Sequence, residues 1–149
     1  MTQAICVLHQ TQYSGYILFT PKENYCEVKV KLEGLPPGKR GFHIHEKGNL
    51  LDGCQSLCAH FNPKNKTHGG LNEPQSHLGD LGNIIVNKKG KVDCIIKAKY
   101  LKTTGKNSII GRSIVIHEKE DDCGKGGNEE SLITGNAGKR IACGIIGYY

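Results

Sequence analysis

The chain of 149 residues has no tryptophan, one methionine and three phenylalanines, and its hydrophobic fraction is 37%. It has no run of about 18 apolar residues, which excludes a transmembrane helix. Its first residues lack a basic segment followed by an apolar one, so we expect no secretory signal. A chain of about 150 residues can still bury roughly 70% of its unfolded surface. We therefore expect a single globular domain over residues 1–149, with a modest core and no membrane partner.

Several familiar site patterns are also missing. No C-x-x-C pair occurs, which disfavours a zinc ribbon or a thioredoxin-type redox site. The glycine-rich segment 124–127 lacks the spacing of a phosphate-binding loop. The formal net charge is +6, but the lysines alternate along strand-like runs or cluster in a turn without interleaved aromatic residues. The charge therefore does not predict nucleic-acid binding.

The chain has seven cysteines, which is an odd number. At least one thiol must therefore stay free or pair between chains. A reducing compartment in which every thiol is free, as a small core residue, is equally compatible with the count alone.

The dominant hydrophobic period is two residues. Cys26, Val28, Val30 and Leu32 alternate with charged residues, which is typical of a strand with one buried face. Turn signals separate similar runs, and no ten-residue amphipathic helix is evident. The sequence thus predicts an all-β sandwich or flattened barrel of about eight strands. The predicted strands cover 4–8, 15–20, 26–32, 41–45, 83–86, 92–98, 113–117 and 141–146.

Two long segments interrupt this pattern, Glu46–Leu81 and Glu118–Arg140. Both are polar and poor in strand signals. Long loops of this kind in a compact domain are usually functional. Because a hydrophobic core cannot hold them, we expect metal ligands or a disulfide to do so.

The histidines suggest the metal ligands. His43 and His45 point to one face of a strand, while Phe42 and Ile44 between and beside them point to the core. His117 ends another strand. The first long loop contains His60, His68, His77 and Asp80. Three imidazoles and a carboxylate suit tetrahedral zinc, and several imidazoles in a flatter arrangement suit copper. Any one of these histidines alone would be read as an ordinary surface or core residue.

Together these residues lie in motifs that resemble the intracellular copper/zinc superoxide dismutases over essentially the whole chain. The motifs are GFHIHE (41–46), HFNP (60–63), HGG (68–70), HLGDLGN (77–83), IGR (110–112), HEK (117–119), GKGGNEES (124–131) and GNAGKRIACG (135–144). The resemblance implies an eight-stranded antiparallel Greek-key β-sandwich or flattened barrel with two long functional loops. It also implies a cytoplasmic enzyme of antioxidant defence, which disproportionates superoxide to oxygen and hydrogen peroxide.

The same resemblance implies two metal cofactors. Copper is expected on His43, His45, His60 and His117, and zinc on His60, His68, His77 and Asp80. His60 is then shared, as an imidazolate that bridges the two metals. Asp121 matches a carboxylate that joins the outer nitrogens of His43 and His68 and so fixes both rings. An ordinary solvated loop carboxylate is the alternative for Asp121.

The resemblance further implies a disulfide between Cys54 and Cys143, which would help position Arg140 for catalysis beside His60. Such a disulfide is unusual in a cytosolic protein. The other five thiols are expected to be free. Cys58 departs from the family's pattern, and it could pair wrongly with Cys54 or Cys143, contact a metal, or remain a simple free thiol.

Electrostatic steering of the anion is expected from the second loop, in which Lys119, Glu129, Glu130 and Thr134 match family positions. Ile133 stands where the family usually has a steering lysine, and Lys139 beside Arg140 could compensate. We expect an active enzyme with altered steering.

A homodimer is expected through the first strand, Ile110-Gly111 and the chain end, although Lys47 replaces a common interface aromatic. A copper chaperone is a possible loading partner. Two other functions are alternatives: a non-catalytic copper buffer or chaperone-like relative, and a β-sandwich binding module with incidental histidines. The complete copper set and Arg140 favour the enzyme, and His9 is the one histidine left without a role.

Overall fold

The computed structural model describes residues 1–149, which form eight antiparallel strands and two short 3₁₀ helices, Gly53–Leu57 and Glu130–Leu132. The strands are β1 (Ala4–His9), β2 (Ser14–Pro21), β3 (Cys26–Glu33), β4 (Gly38–His45), β5 (Asp80–Val86), β6 (Val92–Ala98), β7 (Ser113–His117) and β8 (Arg140–Tyr148). All eight predicted strands are confirmed. β4 and β5 both begin three residues before the predicted start. Lys39 and Arg40 pair with Ile85 and Ile84, which extends β4, and Asp80 pairs with His43, which extends β5.

The strands form one sheet in the order β5-β4-β7-β8-β1-β2-β3-β6. The two edge strands, β5 and β6, approach each other, so the sheet curls into a nearly closed barrel. Strand neighbours that are distant in sequence, such as β8 and β1, give the connections a Greek-key pattern. The expected all-β fold is confirmed.

The alternating pattern places the core inside this barrel. In β3, Val28 and Val30 are fully buried, while the charged residues between them lie on the outer face. Phe19 of β2 pairs with Val28, and both belong to the main cluster of 24 buried residues. Burial of one face of each strand stabilises the barrel at roughly 25 cal/mol per Å² of apolar surface.

Strand β4 is buried on both faces from Gly41 to His45, as β7 is from Ser113 to His117. Phe42 and Ile44 belong to the main core, as predicted. His43 and His45 point to the opposite face, where the two long loops cover them. Register shifts interrupt the pairing at Gly41/His43 and at Ile116/His117. Such irregularities often re-aim side chains beside functional sites.

The long loops cover residues 46–79 and 118–139, between the strands given above. The first loop is tied to β8 by a disulfide between Cys54 and Cys143, whose Cα atoms are 5.9 Å apart. A small second cluster of Leu57, Val115 and Cys143 packs beneath it. No helix has the length and apolar character needed to cross a membrane.

Candidate metal centre

Six of the seven histidines lie together between β4, β7 and the two long loops. All six are buried, and the rings follow one another with centroid distances of 4.0 to 6.2 Å. They are His43, His45, His60, His68, His77 and His117. His9 lies apart from them, exposed at the end of β1. Since buried polar groups normally have hydrogen-bond partners, each ring nitrogen in the cluster needs an explanation.

His60 is a loop residue, but backbone hydrogen bonds to β4 fix its position. The first loop returns alongside β4, where Phe61 donates its N–H to the carbonyl of Ile44 at 2.8 Å. The N–H of Ile44 in turn donates to the carbonyl of Gly79, also at 2.8 Å. Because His60 precedes Phe61, this pairing brings its ring beside those of His43 and His45.

Backbone carbonyls determine which nitrogen of two rings carries a proton. His45 Nδ1 lies 2.8 Å from the carbonyl oxygen of Cys58, and His117 Nδ1 lies 3.0 Å from that of Gly138. A carbonyl only accepts, so Nδ1 is the N–H donor in both rings. The Nε2 atom of each ring therefore keeps its lone pair.

A carboxylate does the same for two other rings. His43 Nε2 lies 2.5 Å from one oxygen of Asp121, and His68 Nε2 lies 2.7 Å from the other. Both Nε2 atoms donate, so Nδ1 of each ring keeps its lone pair. Asn83 fixes Asp121 by accepting from its N–H at 2.7 Å and donating to its carbonyl at 2.9 Å.

The freed nitrogens form a first donor group. His43 Nδ1 and the Nε2 atoms of His45, His60 and His117 are buried and have no hydrogen-bond partner. One ligand atom from each of these four residues lies within 4.8 Å of the others. Leaving four buried acceptors unsatisfied would destabilise the fold by about 1–3 kcal/mol each. A copper ion bound by four imidazoles removes that cost and suits this donor chemistry.

A second donor group lies on the other side of His60. His60 Nδ1 is 3.1 Å from His77 Nδ1 and 3.0 Å from Asp80 Oδ1, and His77 Nδ1 is 3.3 Å from the same oxygen. His68 Nδ1 lies 3.0 Å from Asp80 Oδ2 but without hydrogen-bond geometry. Ligands about 2.0 Å from a tetrahedral zinc ion are about 3.3 Å from one another. These separations therefore fit zinc.

His43 also lies within 4.8 Å of His60, His68 and Asp80, so its ring could be counted in the second group in place of His77. Its hydrogen bond to Asp121 argues against this, because the one free nitrogen of His43 is already used in the first group. The short distances from His77 to His60 and Asp80 make His77 the better member.

Burial keeps the first group neutral. Desolvation, with repulsion from the neighbouring rings, holds the pKa of His43 and His45 well below the usual histidine value. Desolvation also lowers the pKa of His60, and it lowers that of His117 to about 4. The His43–Asp121 contact is therefore a hydrogen bond from a neutral ring. Neutral imidazole is the form that binds a metal.

The second group has the opposite electrostatics. Burial opposes charge on Asp80, but its hydrogen bond to His60 and its close contacts with the rings of His68 and His77 outweigh burial and hold its pKa far below the usual range. For His68, the hydrogen bond to Asp121 and the nearby carboxylate of Asp80 likewise outweigh burial and raise the pKa to about 9. A fixed carboxylate anion with histidines around it is a good divalent-cation site.

An open cavity of about 600 Å³ leads to the cluster and is lined by His45, His60 and His117. We call it the access cavity. Of the predicted steering residues, it is lined by Lys119, Glu130, Thr134 and Lys139, and Ile133 also lies on its wall. Glu129 does not line it.

Arg140 also lines the access cavity, at the first residue of β8. Its guanidinium donates to the carbonyl of Cys54 at 2.8 Å and to that of Cys58 at 2.6 Å. Because Cys54 is one half of the disulfide with Cys143, the cross-link holds the segment that orients Arg140.

The remaining thiols lie outside both donor groups. Cys6, Cys26, Cys58, Cys94 and Cys123 are free, as expected. Cys58 adopts a backbone φ of 68°, uncommon for a residue with a side chain. Its thiol lies 3.4 Å from Glu46 Oε2, and its contribution to the site is its carbonyl, which binds both His45 and Arg140.

Three features of the site had no signal in the sequence. Two are the backbone carbonyls of Cys58 and Gly138, because any residue supplies a carbonyl. The third is the link from Asn83 to Asp121. Asn83 belongs to the motif at 77–83, but nothing in the sequence shows that it holds Asp121 by two hydrogen bonds.

Comparison with known proteins agrees with this geometry. The family model for copper/zinc superoxide dismutase matches residues 13–146. The chain is 49% identical over 146 residues to a superoxide dismutase [Cu-Zn] of Paramecium bursaria Chlorella virus 1, covering 97% of this chain and 78% of that one. It is 50% identical over 141 residues to an extracellular superoxide dismutase [Cu-Zn] of Drosophila melanogaster, covering 92% and 77%.

A third relative, superoxide dismutase [Cu-Zn] 5 of Dictyostelium discoideum, is 49% identical over 145 residues and is covered over 95% of its length. Among solved structures, the crystal structure of the clock protein EA4 superposes with a TM-score of 0.95 at 43% identity. That match covers 99% of this chain and 95% of the other. From its donor groups, its barrel and these matches, the chain belongs to the copper/zinc superoxide dismutase family.

Proposed function

We propose that the two donor groups divide the metals of a superoxide dismutase between them, copper on His43, His45, His60 and His117, and zinc on His60, His68, His77 and Asp80. The observation that carries this assignment is the convergence of buried nitrogens without protein partners in the first group. His60 has one nitrogen in each group, so it would be the ligand that the two metals share.

The enzyme disproportionates two superoxide ions, with the uptake of two protons, to one oxygen and one hydrogen peroxide. Bound copper supplies the one-electron redox couple that this reaction needs. The chain's residues supply a site of fixed geometry, since Asp121 and two backbone carbonyls hold four of the rings in place. Zinc is redox-inert, and its proposed role is to hold the first loop and to orient His60.

His60 and Arg140 are the proposed catalytic residues. His60 Nε2 is buried without a protein partner, and its residue lines the access cavity, so whenever this atom is not bound to metal it can take a proton from solvent and pass it to the reduced substrate. The Arg140 guanidinium, held by two carbonyls on the same wall, holds the superoxide anion by charge-assisted hydrogen bonds.

Steering of the anion is proposed to depend on Lys119 and Lys139, two exposed lysines on the wall of the access cavity. Glu130 provides negative charge on the same wall and accepts a hydrogen bond from Thr134 at 2.8 Å. Ile133 is uncharged and adds nothing to the positive charge of this wall, so Lys139 provides a larger share of the attraction for the anion. Glu129 lies outside the cavity wall and contributes only through its long-range charge.

A test by metal analysis separates the two groups. His45→Ala should lose copper and retain zinc, whereas His77→Ala should lose zinc and retain copper. His60→Ala should weaken both. His9→Ala is the matched control, because His9 is exposed and lies outside the cluster. Equal loss of both metals from His45→Ala and His77→Ala, in folded protein, would contradict the division.

A homodimer through β1, Ile110-Gly111 and the chain end is the proposed assembly, with exposed residues of the first loop added to the same surface. Exposed apolar side chains gather there, with Val7 54% exposed and Leu51 85% exposed. A shallow cavity of about 520 Å³ runs between Val7, Leu50 and Ile145. Monomeric proteins rarely expose contiguous apolar surface of this kind. Lys47 is exposed near this surface and adds charge to it.

Sedimentation equilibrium at micromolar concentration should give twice the mass of one chain. Val7→Glu should shift the protein towards the monomer, while Ile95→Glu, an equally exposed apolar residue on β6, should not. The mass of a single chain in the unaltered protein would overturn the dimer.

The cytoplasm is the proposed location, with residues 1–149 acting as a single domain and a copper chaperone as a possible loading partner. Five free thiols favour a reducing compartment. One relative is named as extracellular, so location must be tested in the cell. Fractionation of the native protein with its disulfide state preserved is the test, and recovery outside the cell would contradict the proposal.

A further inference from the structure

A second large cavity, of about 650 Å³, shares no lining residue with the access cavity. It lies between the β2–β3 turn, the segment 99–107 that follows β6, and Lys64 and Leu78 of the first loop. We call it the basic cavity. None of its residues takes part in the dismutase chemistry described above.

The charge of this cavity is strongly one-sided. A single acidic residue, Glu23, lines it together with five exposed lysines, so its local charge is +4 in a chain of net charge +6. The lysines are Lys22, Lys64, Lys99, Lys102 and Lys106. The excess positive charge of the chain is therefore concentrated at one place and is not spread evenly over the strand faces.

These lysines have no carboxylate partner within 4.0 Å. The chain does pair lysines elsewhere, as Lys31 with Asp93 at 3.5 Å and Lys39 with Glu120 at 3.4 Å. Like charges gathered in a cleft repel one another and focus a positive potential into it. Binding of an anion weakens the repulsion between the lysines and is favoured by the positive potential.

The segment that carries three of the lysines is well ordered. Leu101 and Thr103 are buried on either side of Lys102, and the Thr103 hydroxyl donates to the carbonyl of Thr2 at 2.6 Å. The Lys102 carbonyl accepts from Ile109 at 2.9 Å, and the Lys99 N–H donates to Asn72 Oδ1 at 2.8 Å. A ligand would need to order only side chains, which keeps the entropic cost of binding low.

We propose that the basic cavity binds a small anion carrying several phosphate or sulfate groups. Its volume lies in the range of about 300–1,000 Å³ that is usual for small-molecule sites. Five separate ammonium groups exceed what one monovalent anion can neutralise, and lysine binds phosphate oxygens as a point charge. The rings of Tyr25 and Tyr100 add apolar walls for the body of such a molecule.

Titration calorimetry of the holoenzyme at low salt tests this, with tripolyphosphate, sucrose octasulfate and orthophosphate as probes. At least one multivalent probe should bind about tenfold or more tightly than orthophosphate, because it meets several lysines at once. The tighter of the two multivalent probes identifies the ligand class as phosphate or sulfate.

The variant Lys99→Glu/Lys102→Glu should weaken that binding about tenfold or more. Lys88→Glu/Lys89→Glu makes the same change of charge in the β5–β6 turn. In that turn the carbonyl of Gly90 accepts a hydrogen bond from the N–H of Leu35, which lies beyond the end of β3 that is remote from the basic cavity. The eight residues of β3 span about 26 Å, well beyond the screening length of about 10 Å at 0.1 M salt, so the control should change affinity by less than about twofold.

Equal weakening of binding in both variants would show that only the net charge of the protein matters and would overturn the proposal. Failure of both multivalent probes to bind more tightly than orthophosphate would also overturn it. If the charge-reversed variant does not fold, as judged by circular dichroism, Lys99→Gln/Lys102→Gln replaces it with the same expected direction. Metal content should be unchanged in each variant, which separates this result from the fate of the proposed metal sites.

Discussion

His43 and His68 are held by the two oxygens of one carboxylate, Asp121, at 2.5 and 2.7 Å. His43 belongs to the proposed copper group and His68 to the proposed zinc group. Asp121 therefore links the two groups by a second path, behind His60. Since Asn83 fixes the backbone of Asp121, the position of both rings depends on one residue of β5 and one of the second loop.

Asp121→Asn should weaken binding of both metals by about 10–100-fold. An amide has one acceptor oxygen and two N–H donors, so it cannot accept from both rings. Titration with competing chelators measures the change. Asp93→Asn is the control, since Asp93 is exposed on β6 and its ion pair is with Lys31, away from the histidines. Unchanged affinity in Asp121→Asn would show that the carboxylate does not orient the ligands.

Cys54→Ala/Cys143→Ala should lower the free energy of unfolding by about 4–5 kcal/mol on the chain-entropy model, because the bond joins residues 89 positions apart. Activity should fall as well, because the carbonyl of Cys54 orients Arg140. Urea unfolding at matched metal content gives the first quantity. A loss no larger than that of Cys94→Ala, a free half-buried thiol, would contradict the prediction.

The rate of superoxide consumption should fall as ionic strength rises, because salt screens the attraction between the anion and the access cavity. Lys139→Ala should lower kcat/KM by about twofold to fivefold at low salt and flatten its salt dependence. Ile133→Lys should raise kcat/KM at low salt and steepen its salt dependence, because it adds positive charge on the same wall. A rate independent of salt in both the native enzyme and Lys139→Ala would rule out this steering.

Stability should decrease in alkaline solution through Cys6. Burial raises the pKa of this thiol from its ordinary value of 9.0 to about 12. The unfolded chain then loses its proton at lower pH than the folded one. The stability contributed by the protonated Cys6 thiol is therefore fully present below about pH 9 and is lost as pH rises towards 12.

The full loss for such a shift is about 4 kcal/mol. Cys6→Ala should be less stable at neutral pH because of the cavity it leaves, but its free energy of unfolding should fall less steeply between pH 9 and 11. Part of the slope should remain, because burial also raises the pKa of Cys26 to about 11. Parallel slopes in the two proteins would contradict the assignment to Cys6.

The barrel could be predicted because its signal is local. Alternation in β3 and the pair of histidines in β4 both follow from the two-residue period of a strand. The early start of β5 was missed, because Asp80 reads as part of a polar loop until its pairing with His43 is seen.

The site could be predicted only where side-chain type carries the chemistry. Ligand histidines and Asp121 are such residues, whereas the carbonyl of Cys58 is invisible in a sequence. The basic cavity was missed for another reason. Lys22, Lys64 and Lys102 are far apart in the chain, and each alone reads as a solvated surface lysine.

The most direct test of the central claim is superoxide consumption by His60→Ala, measured beside the native enzyme and His9→Ala after each has been supplied with copper and zinc. His60 is the one residue with a nitrogen in each donor group. We expect His60→Ala to remain folded, to bind both metals more weakly and to lose most of its activity, while His9→Ala matches the native enzyme. Native activity and full metal content in His60→Ala would contradict the account.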